Sequence, residues 1–251
     1  MTKKIWITGA SSGIGMELAI KFAKEGWQVA ASARRENLLR DLNNQNPNIH
    51  PFPLDVKNET DAKNIFNKIL EKFETVNIAV FCTGIHDPES EKKLSSEKVR
   101  EIMETNFFGT LNCIMAVNNY FRDKKNGHIS IVSSVAGYRG LPAASGYCAS
   151  KSALTSLAES LYFDFKRHNV RVSLVSPGFI KTPMTDKNKF PMPMIKSAEF
   201  AAEKMFIGLT KKNTFEIHFP IAFTMMMKLL KIMPNWLYFL LVKKGMKTIK
   251  Y

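Results

Sequence analysis

One stretch near the start of the chain decides the fold: Lys4-Ile5-Trp6-Ile7-Thr8-Gly9-Ala10-Ser11-Ser12-Gly13-Ile14-Gly15. Its first five residues predict a short apolar strand, and the glycines that follow predict a turn. Beyond the turn, Ile14, Leu18 and Phe22 recur on one face of a predicted helix, which Gly26 ends. A strand, a glycine-rich turn and a helix in this order form the context in which a glycine pattern carries meaning.

The glycine-rich turn is a candidate phosphate-binding site. Glycine lets the backbone approach a phosphate closely, and the N-terminus of the helix supplies aligned N–H donors. Three residues separate Gly9 from Gly13, which departs from the spacing G-x-G-x-x-G. A tight strand-to-helix turn without a ligand is therefore the alternative.

The second predicted strand, Trp27 to Ala33, is nearly all apolar, as expected for a strand that is buried on both faces of a parallel sheet. It is followed by Arg34 and Arg35. In a dinucleotide-binding fold this position meets the adenosine ribose, where an acidic residue bonds the 2′-hydroxyl and an arginine accommodates a 2′-phosphate. Arg34 therefore favours NADP over NAD, and two solvated arginines are the alternative.

Strand and helix patterns alternate along the rest of the chain with short links. Further strands are predicted over residues 76–81, 129–132, 170–175 and 215–219. This alternation predicts an α/β fold, a Rossmann-like doubly wound parallel sheet with right-handed crossovers and helices on both faces.

Ligands in such a sheet bind at the carboxyl ends of the strands. The candidate residues fall at these ends or on helices that face them: Gly9, Arg34, Asp55, Gly84, Ser134 and Pro177. Asp55 could bond the adenine amine of a dinucleotide, or it could cap the next helix. A shared location at one edge of the sheet is stronger evidence for a site than any single motif.

Tyr147 and Lys151 stand four residues apart in a predicted long helix, so their side chains project from one face. A nearby positive charge favours the phenolate and lowers the tyrosine pKa from about 10. The pair could then work as a general acid in one direction and as a general base in the other. A solvated lysine beside a half-buried tyrosine is the alternative.

Composition narrows the classes of partner. The chain has 251 residues and a net charge of +14, which suggests a nucleic acid, an anionic membrane surface or an anionic cofactor. No nucleic-acid-binding motif appears, so we expect no nucleic-acid partner. Three cysteines without metal-ligand spacing indicate a reducing compartment and no metal site. The N-terminus leaves no room for the apolar region of a signal peptide, so we expect a cytoplasmic protein.

Together these motifs resemble the short-chain dehydrogenase/reductase family over about residues 3–220: the turn Thr8 to Gly15, Asn106, Ser134, Tyr147-x-x-x-Lys151, and Pro177-Gly178 with Thr182. The resemblance implies hydride transfer between a nicotinamide and a carbonyl or alcohol carbon. It implies that Tyr147 is the general acid/base and that Lys151 lowers its pKa and binds the nicotinamide ribose. It also implies that Ser134 holds the substrate oxygen, and that Asn106 steadies the sheet and a proton-relay water.

The resemblance further implies which residues bind the cofactor, NADP(H): Gly9, Ser11, Ser12, Gly13, Ile14, Gly15, Arg34, Arg35, Asp55, Val56, Gly84, Tyr147, Lys151, Pro177, Gly178, Ile180 and Thr182. One departure stands out. Where the family usually has Asn-Asn-Ala-Gly after the fourth strand, this chain has Phe81-Cys82-Thr83-Gly84, so the backbone around Gly84 is expected to be held differently. We also expect a homo-oligomer.

The segment Lys187 to Ile195 lies where the family's substrate loop would be, and it contains Phe190-Pro191-Met192-Pro193-Met194. Methionine adapts to irregular apolar shapes. We therefore expect a small hydrophobic carbonyl or alcohol as the substrate, and a hinged lid that packs on the core is the alternative.

Residues 221–251 follow the predicted catalytic domain, residues 1–220, as a basic tail with six lysines and no acidic residue. We predict two short helices separated near Pro234, with Thr224, Lys228 and Lys231 on one face and Met and Leu residues opposite. Such an amphipathic pattern is typical of a helix at an anionic membrane surface, here the inner membrane surface. An oligomer contact or a cover over the substrate cleft is the alternative.

These features predict an NADP(H)-dependent oxidoreductase that reduces a hydrophobic, lipid-derived ketone or aldehyde, or that oxidises the alcohol in the reverse direction. The alternative from another class is a nucleotide-binding scaffold or sensor whose tail is the working part. The intact set of Ser134, Tyr147 and Lys151 argues against it.

Overall fold

The computed structural model describes residues 2–91 and 93–247, and this part of the chain contains a seven-stranded parallel sheet. The strands are β1 (Lys4–Thr8), β2 (Gln28–Ser32), β3 (Ile49–Pro51), β4 (Ile78–Phe81), β5 (Gly127–Val132), β6 (Val170–Pro177) and β7 (Glu216–Phe219). Their order across the sheet is β3-β2-β1-β4-β5-β6-β7, and each neighbouring pair is parallel. The predicted doubly wound α/β fold is confirmed.

Helices connect the strands and cover both faces of the sheet. They are α1 (Gly13–Lys24), α2 (Glu36–Gln45), α3 (Glu59–Phe73), α4 (Pro88–Glu91), α5 (Ser96–Met103), α6 (Gly109–Lys124), α7 (Ser145–Lys166), α8 (Ala198–Thr210), α9 (Ile221–Ile232) and α10 (Asn235–Lys247). A π-helical turn, Glu104–Phe108, joins α5 to α6, and short 3₁₀ turns lie at Val135–Gly137 and Thr185–Lys187.

Two apolar clusters, one on each face, hold the helices to the sheet. Phe22 of α1 packs edge-on against Phe206 of α8 in one cluster. Phe66 of α3, Phe121 of α6 and Phe165 of α7 are buried in the other. Burial of each large side chain contributes about 1.5–3 kcal/mol. The sheet between the clusters is thus a rigid base for the strand ends.

The crevice at the edge of the sheet lies between β1 and β4. From β1 the chain runs outward to β2 and β3 on one side, and from β4 it runs outward to β7 on the other. Where the strand order reverses in this way, a ligand-sized crevice opens at the carboxyl ends of the two strands. These ends are Thr8 and Phe81.

The tail forms the two predicted helices, α9 and α10, with Pro234 in the link between them. The Tyr238 N–H donates to the Pro234 carbonyl at 3.0 Å, so the first turn of α10 begins on the proline. The predicted tail continues to Tyr251, and residues 248–251 lie outside the described residues. Among the helices that the structure describes, none has the length and apolar character needed to cross a membrane.

Candidate functional site

A cleft of about 440 Å³ opens at the carboxyl ends of the strands. Nearly every residue that the sequence singles out lines it: Gly9, Ser11, Ser12, Gly13, Ile14, Gly15, Arg34, Arg35, Asp55, Val56, Gly84, Ser134, Tyr147, Lys151, Pro177, Gly178, Ile180 and Thr182. Asn106 is buried behind the cleft wall. The fold thus brings the predicted residues to one place, and their roles stay predictions.

The glycine-rich turn passes close to neighbouring backbone, which explains two of its glycines. A Cβ at Gly9 would lie 2.9 Å from the Cys82 carbonyl oxygen, and Gly9 has a φ of +69°. A Cβ at Gly15 would lie 2.4 Å from the Gly9 carbonyl oxygen. A larger residue at Gly9 would push against the backbone after β4, and one at Gly15 would push α1 away from the turn, so Gly15 fixes the approach of the helix N-terminus to the cleft.

The two arginines after β2 are placed differently from each other. Arg35 Nη2 donates to Ser11 Oγ at 2.9 Å and to Ser12 Oγ at 2.7 Å, so its guanidinium is fixed on the glycine-rich turn. Arg34 is exposed at the rim of the same cleft. The sequence associates Arg34 with a 2′-phosphate. The structure shows in addition that Arg35 is the arginine that holds the glycine-rich turn.

Asp55 lies in the cleft wall, and the structure excludes one of its two predicted roles, the helix cap. The Asp55 carboxylate accepts the Lys57 N–H at 3.1 Å within a local turn. The cap of α3 is instead Asn58, whose side chain accepts the Asp61 N–H at 3.1 Å. The helix-cap alternative for Asp55 is therefore wrong, because Asn58 occupies the N-cap position.

Tyr147 and Ser134 meet in the cleft, where the Ser134 hydroxyl hydrogen-bonds the phenol. Burial is the largest influence on the phenol and raises the pKa of Tyr147 to about 12, although the bond to Ser134 acts in the opposite direction. The sequence argument expected Lys151 to lower this pKa. In the structure Lys151 is not among the groups that shift this pKa: burial raises it because the charged phenolate is removed from water, and the bond to Ser134 is what lowers it.

Lys151 lies beneath Tyr147 on the next turn of α7. Its Nζ donates to the Val132 carbonyl at 3.0 Å and lies 5.7 Å from the centre of the Tyr147 ring. Burial lowers the pKa of Lys151 to about 8, so the ammonium is still mostly protonated at neutral pH. A Cβ at Gly84 would lie 3.3 Å from Lys151 Nζ, so the glycine leaves room for the ammonium.

Asn106 sits in the π-helical turn and holds the backbone behind Gly84. Its Oδ1 accepts the Ile85 N–H at 2.7 Å, and its Nδ2 donates to the Ile85 carbonyl and to Ser150 Oγ, both at 3.0 Å. On the other side, the Cys82 N–H donates to Thr8 Oγ1 at 3.2 Å. These bonds are how the unusual Phe81-Cys82-Thr83-Gly84 segment is held, and π-turns often mark functional sites.

Sequence reasoning missed a pair of residues beside Tyr147. The His86 ring stacks on the Tyr147 ring with centroids 4.4 Å apart, and His86 Nδ1 donates to the Glu91 carboxylate at 2.8 Å. Glu91 also accepts the Gly146 N–H at 2.8 Å, at the start of α7. In the sequence, only the position of His86 two residues after Gly84 pointed to this pair. Glu91 lies 55 residues before Gly146, so no local pattern links the two.

The chain after β6 closes the cleft over the glycine-rich turn. Thr182 approaches Gly13 so closely that a Cβ there would lie 3.1 Å from Thr182 Cγ2. Ile180 is buried and pairs with Lys196 in a parallel bridge, which ties the two ends of the following loop together. The predicted substrate loop is thus anchored at the cleft.

The cleft suits an anionic dinucleotide. Four of the charged residues that line it are cationic, namely Arg34, Arg35, Lys151 and Lys187, and one, Asp55, is a carboxylate. Thr83 Oγ1 is buried in the cleft wall and has no hydrogen-bond partner among the described residues. A buried polar atom without a partner is costly, so this hydroxyl is suited to bond a ligand.

Comparisons with known proteins agree with this geometry. A family model described as short chain dehydrogenase matches residues 3–191. An uncharacterized oxidoreductase of Myxococcus xanthus is 33% identical, over 92% of this chain and 93% of its own length. The 3-oxoacyl-[acyl-carrier-protein] reductase FabG of Thermotoga maritima is 32% identical, over 72% of this chain and 75% of its own. The solved structure of ElxO with NADP bound has a TM-score of 0.76 and 25% identity, over 87% of this chain and 98% of its own.

Proposed function

The chain belongs to the short-chain dehydrogenase/reductase family of oxidoreductases, and from this premise we propose that it is NADP(H)-dependent and transfers a hydride to or from a hydrophobic carbonyl compound or alcohol. Lipid-derived ketones and aldehydes are the substrate class. The observation that carries the proposal is the meeting of Ser134, Tyr147 and Lys151 in one cleft that also contains the glycine-rich turn.

The proton chemistry follows from the positions of these side chains. A bound nicotinamide cofactor supplies or accepts the hydride. In reduction, the Tyr147 phenol donates its proton to the substrate oxygen, and the Ser134 hydroxyl donates a hydrogen bond to the same oxygen. The raised pKa of Tyr147 keeps the phenol protonated before transfer. The Lys151 ammonium then stabilises the phenolate that remains, and oxidation of an alcohol runs the same steps in reverse.

The preference for NADP(H) is supported by charge at the end of β2. Arg34 is exposed at the rim, where it can meet a 2′-phosphate, whereas the Arg35 guanidinium is held on Ser11 and Ser12 of the glycine-rich turn. A relative at 25% identity, ElxO, has NADP bound. The residues that would hold the cofactor are the turn from Gly9 to Gly15, the two arginines, Asp55, Val56, Gly84, Lys151 and the segment from Pro177 to Thr182.

A hydrophobic substrate is supported by the loop that borders the cleft. Phe190 of this loop contacts Phe179 edge-on with ring centroids 6.0 Å apart, and Met184 lines the cleft itself. The relative from Thermotoga maritima is named as a reductase of 3-oxoacyl groups, which are ketones on an acyl chain. The apolar loop and this relative both favour a ketone with an apolar chain.

We also propose that the protein is a cytoplasmic homo-oligomer, with a catalytic unit of residues 1–220 and a tail of residues 221–251 that attaches it to a membrane surface. Sedimentation velocity of the purified full-length chain measures the assembly directly, and a monomer at all concentrations would contradict it.

The test of function is NADPH oxidation by the purified full-length chain with ketones and aldehydes of increasing acyl length. We expect turnover with NADPH and a kcat/KM that rises with chain length. Cofactor binding without turnover on any carbonyl or alcohol would instead favour the nucleotide-binding scaffold or sensor.

A further inference from the structure

Helix α9 packs on the protein through its polar side. The Thr224 side chain is fully buried and bonds His218 Nδ1 at 2.6 Å. Lys228 Nζ lies 2.5 Å from the Glu216 carboxylate, which also accepts the Ser176 hydroxyl at 2.7 Å. Phe223 and Met227 fill the apolar part of this contact. The polar face that carries Thr224 and Lys228 is therefore the docked face of α9.

The outward surface of the tail is apolar. Nine large apolar side chains of α9 and α10 are between 41% and 78% exposed: Ile221, Met225, Met226, Leu229, Ile232, Trp236, Phe239, Leu240 and Leu241. A helix on the surface of a water-soluble protein normally has the opposite arrangement, with its apolar residues packed inward. Exposed apolar side chains concentrated on two neighbouring helices in this way are typical of an interaction surface. We call these nine residues the tail surface.

The tail surface is held in place by contacts with the segment between Ser134 and Tyr147. Arg139 Nη1 donates to the carbonyls of Leu230 at 2.6 Å and Met233 at 2.7 Å, at the end of α9. The same guanidinium lies 3.9 Å from the centre of the Tyr238 ring in α10. Both helices are fixed in this way. Their exposed apolar side chains therefore belong to an ordered part of the protein and not to a mobile end.

Charge decides which partner fits the surface. Lys243 and Lys244 are exposed on α10, and residues 221–251 contain no acidic side chain. If the tail surfaces of two copies met face to face, they would bring lysines against lysines, which is unfavourable. An anionic lipid surface instead offers opposite charge to the lysines, an apolar layer to the methionines and leucines, and an interface that suits Trp236.

We infer that the tail surface is a preformed docking site for an anionic lipid bilayer, which the helices contact from one side without crossing it. The site lies next to the catalytic cleft. Phe223 of α9 contacts Phe179 with ring centroids 5.3 Å apart, and Phe179 contacts Phe190 of the substrate loop. Docking places this loop beside the bilayer, where an apolar substrate would be dissolved; this last step rests on the proposed function.

The experiment is co-sedimentation of the full-length chain with phosphatidylglycerol–phosphatidylcholine vesicles and with pure phosphatidylcholine vesicles. We expect binding to the anionic vesicles that weakens as salt rises. Leu229→Gln with Phe239→Gln should weaken it at least about tenfold, because both side chains lose their apolar burial. Its matched control is Leu94→Gln with Phe163→Gln, which removes equally exposed apolar side chains elsewhere and should bind like wild type.

A second pair of variants tests the charge. Lys243→Gln with Lys244→Gln should weaken binding by about tenfold or more. Lys68→Gln with Lys72→Gln changes the net charge equally on α3 and should leave binding unchanged. Equal losses in both lysine pairs would overturn the inference, since the attraction would then be a property of the whole protein.

The following results separate the outcomes. A wild-type chain that ignores anionic vesicles overturns the inference, and so does a dimer that Leu229→Gln with Phe239→Gln breaks into monomers. Vesicle binding needs no substrate or turnover. A chain that binds vesicles but reduces no carbonyl would therefore contradict the proposed activity and leave the docking site intact. An active chain that ignores vesicles would contradict the docking site and the membrane attachment of the tail, and leave the proposed activity intact.

Discussion

The imidazole ring of His86 lies on the phenol ring of Tyr147, with centroids 4.4 Å apart and planes inclined by 29°. The Glu91 side chain, 2% exposed, holds this imidazole and at the same time accepts the N–H groups of Gly146 and Tyr147. One buried carboxylate thus fixes both the start of α7 and the ring that covers the proposed catalytic tyrosine. This makes Glu91 a positioning residue for Tyr147.

Glu91→Gln should lower kcat more than it raises the KM of the carbonyl, because the tyrosine is displaced while the rest of the cleft is kept. We expect a stability loss of about 1–3 kcal/mol, since Gln can satisfy only part of the buried donors. Steady-state kinetics and thermal unfolding check both. His86→Phe is the matched variant, because it keeps a ring on Tyr147 without the bond to Glu91. A Glu91→Gln enzyme with native kcat would show that the carboxylate only caps α7.

Tyr147→Phe should keep the fold and NADPH affinity while turnover falls by about 10²–10⁴-fold, the usual contribution of a positioned proton donor. Only the hydroxyl is removed, and the ring still packs against His86. Tyr162→Phe removes a phenol on the same helix, away from the cleft, and should have native turnover. Near-native turnover in Tyr147→Phe would exclude Tyr147 as the acid.

Arg34→Asp should reverse or abolish a preference for NADPH over NADH that we expect to be about tenfold to a hundredfold, from one charge-assisted bond of roughly 1.5–3 kcal/mol. Arg35→Ala should behave differently. Because Arg35 holds Ser11 and Ser12, its loss loosens the turn and weakens both cofactors alike. Fluorescence titration with the two cofactors measures each affinity. Equal native affinities for NADPH and NADH would contradict the role of Arg34.

How much of the structure can be predicted from the sequence depends on whether each feature is set by neighbouring or by distant residues. The strand, the glycine-rich turn and the start of α1 depend on neighbouring residues, and they are found where the pattern placed them. The convergence of residues at the strand ends follows from the parallel topology, so it was predictable as well. The contact of Glu91 with Gly146 depends on two distant segments, and no spacing rule signals it.

The tail shows a second kind of limit. Its period of apolar and polar residues predicted two helices and two faces, but a period does not identify the residues that receive the polar face. These are Glu216 and His218, which contact Lys228 and Thr224 of α9. Likewise, the spacing of Tyr147 and Lys151 predicted their common face, whereas the pKa of Tyr147 is set by burial, which the tertiary structure determines.

Lys151 should give folding stability a distinct dependence on pH. Burial lowers its pKa from 10.5 to about 8, so between these values the unfolded chain binds more protons and wild-type stability rises with pH. Lys151→Met lacks this dependence. Between these two pH values the free energy of unfolding of the wild type should rise by about 3 kcal/mol relative to that of Lys151→Met. Denaturant unfolding at several pH values measures the difference, and parallel stability curves would show that Lys151 is not buried as an amine.

Arg139→Ala should release the tail from the catalytic unit. Besides the Leu230 and Met233 carbonyls, the guanidinium bonds the Asn235 side chain at 2.5 Å, so its loss leaves the end of α9 and the start of α10 without their common partner. Positive charge at a helix C-terminus is favourable, and charge-assisted bonds are the stronger ones. We expect a stability loss of about 2–4 kcal/mol and faster proteolysis between residues 230 and 236.

Arg139→Lys distinguishes geometry from charge. Lysine keeps the positive charge but cannot present several fixed donors or stack flat on Tyr238, so it should restore less than half of the lost stability. Turnover on a short water-soluble ketone should be affected far less than the thermal midpoint, because Ser134 and Tyr147 keep their own contacts. If Arg139→Ala unfolds at the wild-type temperature and resists proteolysis equally, the tail is held without Arg139, by the contacts of Thr224 and Lys228 with β7 and by the apolar contacts of Phe223 and Met227.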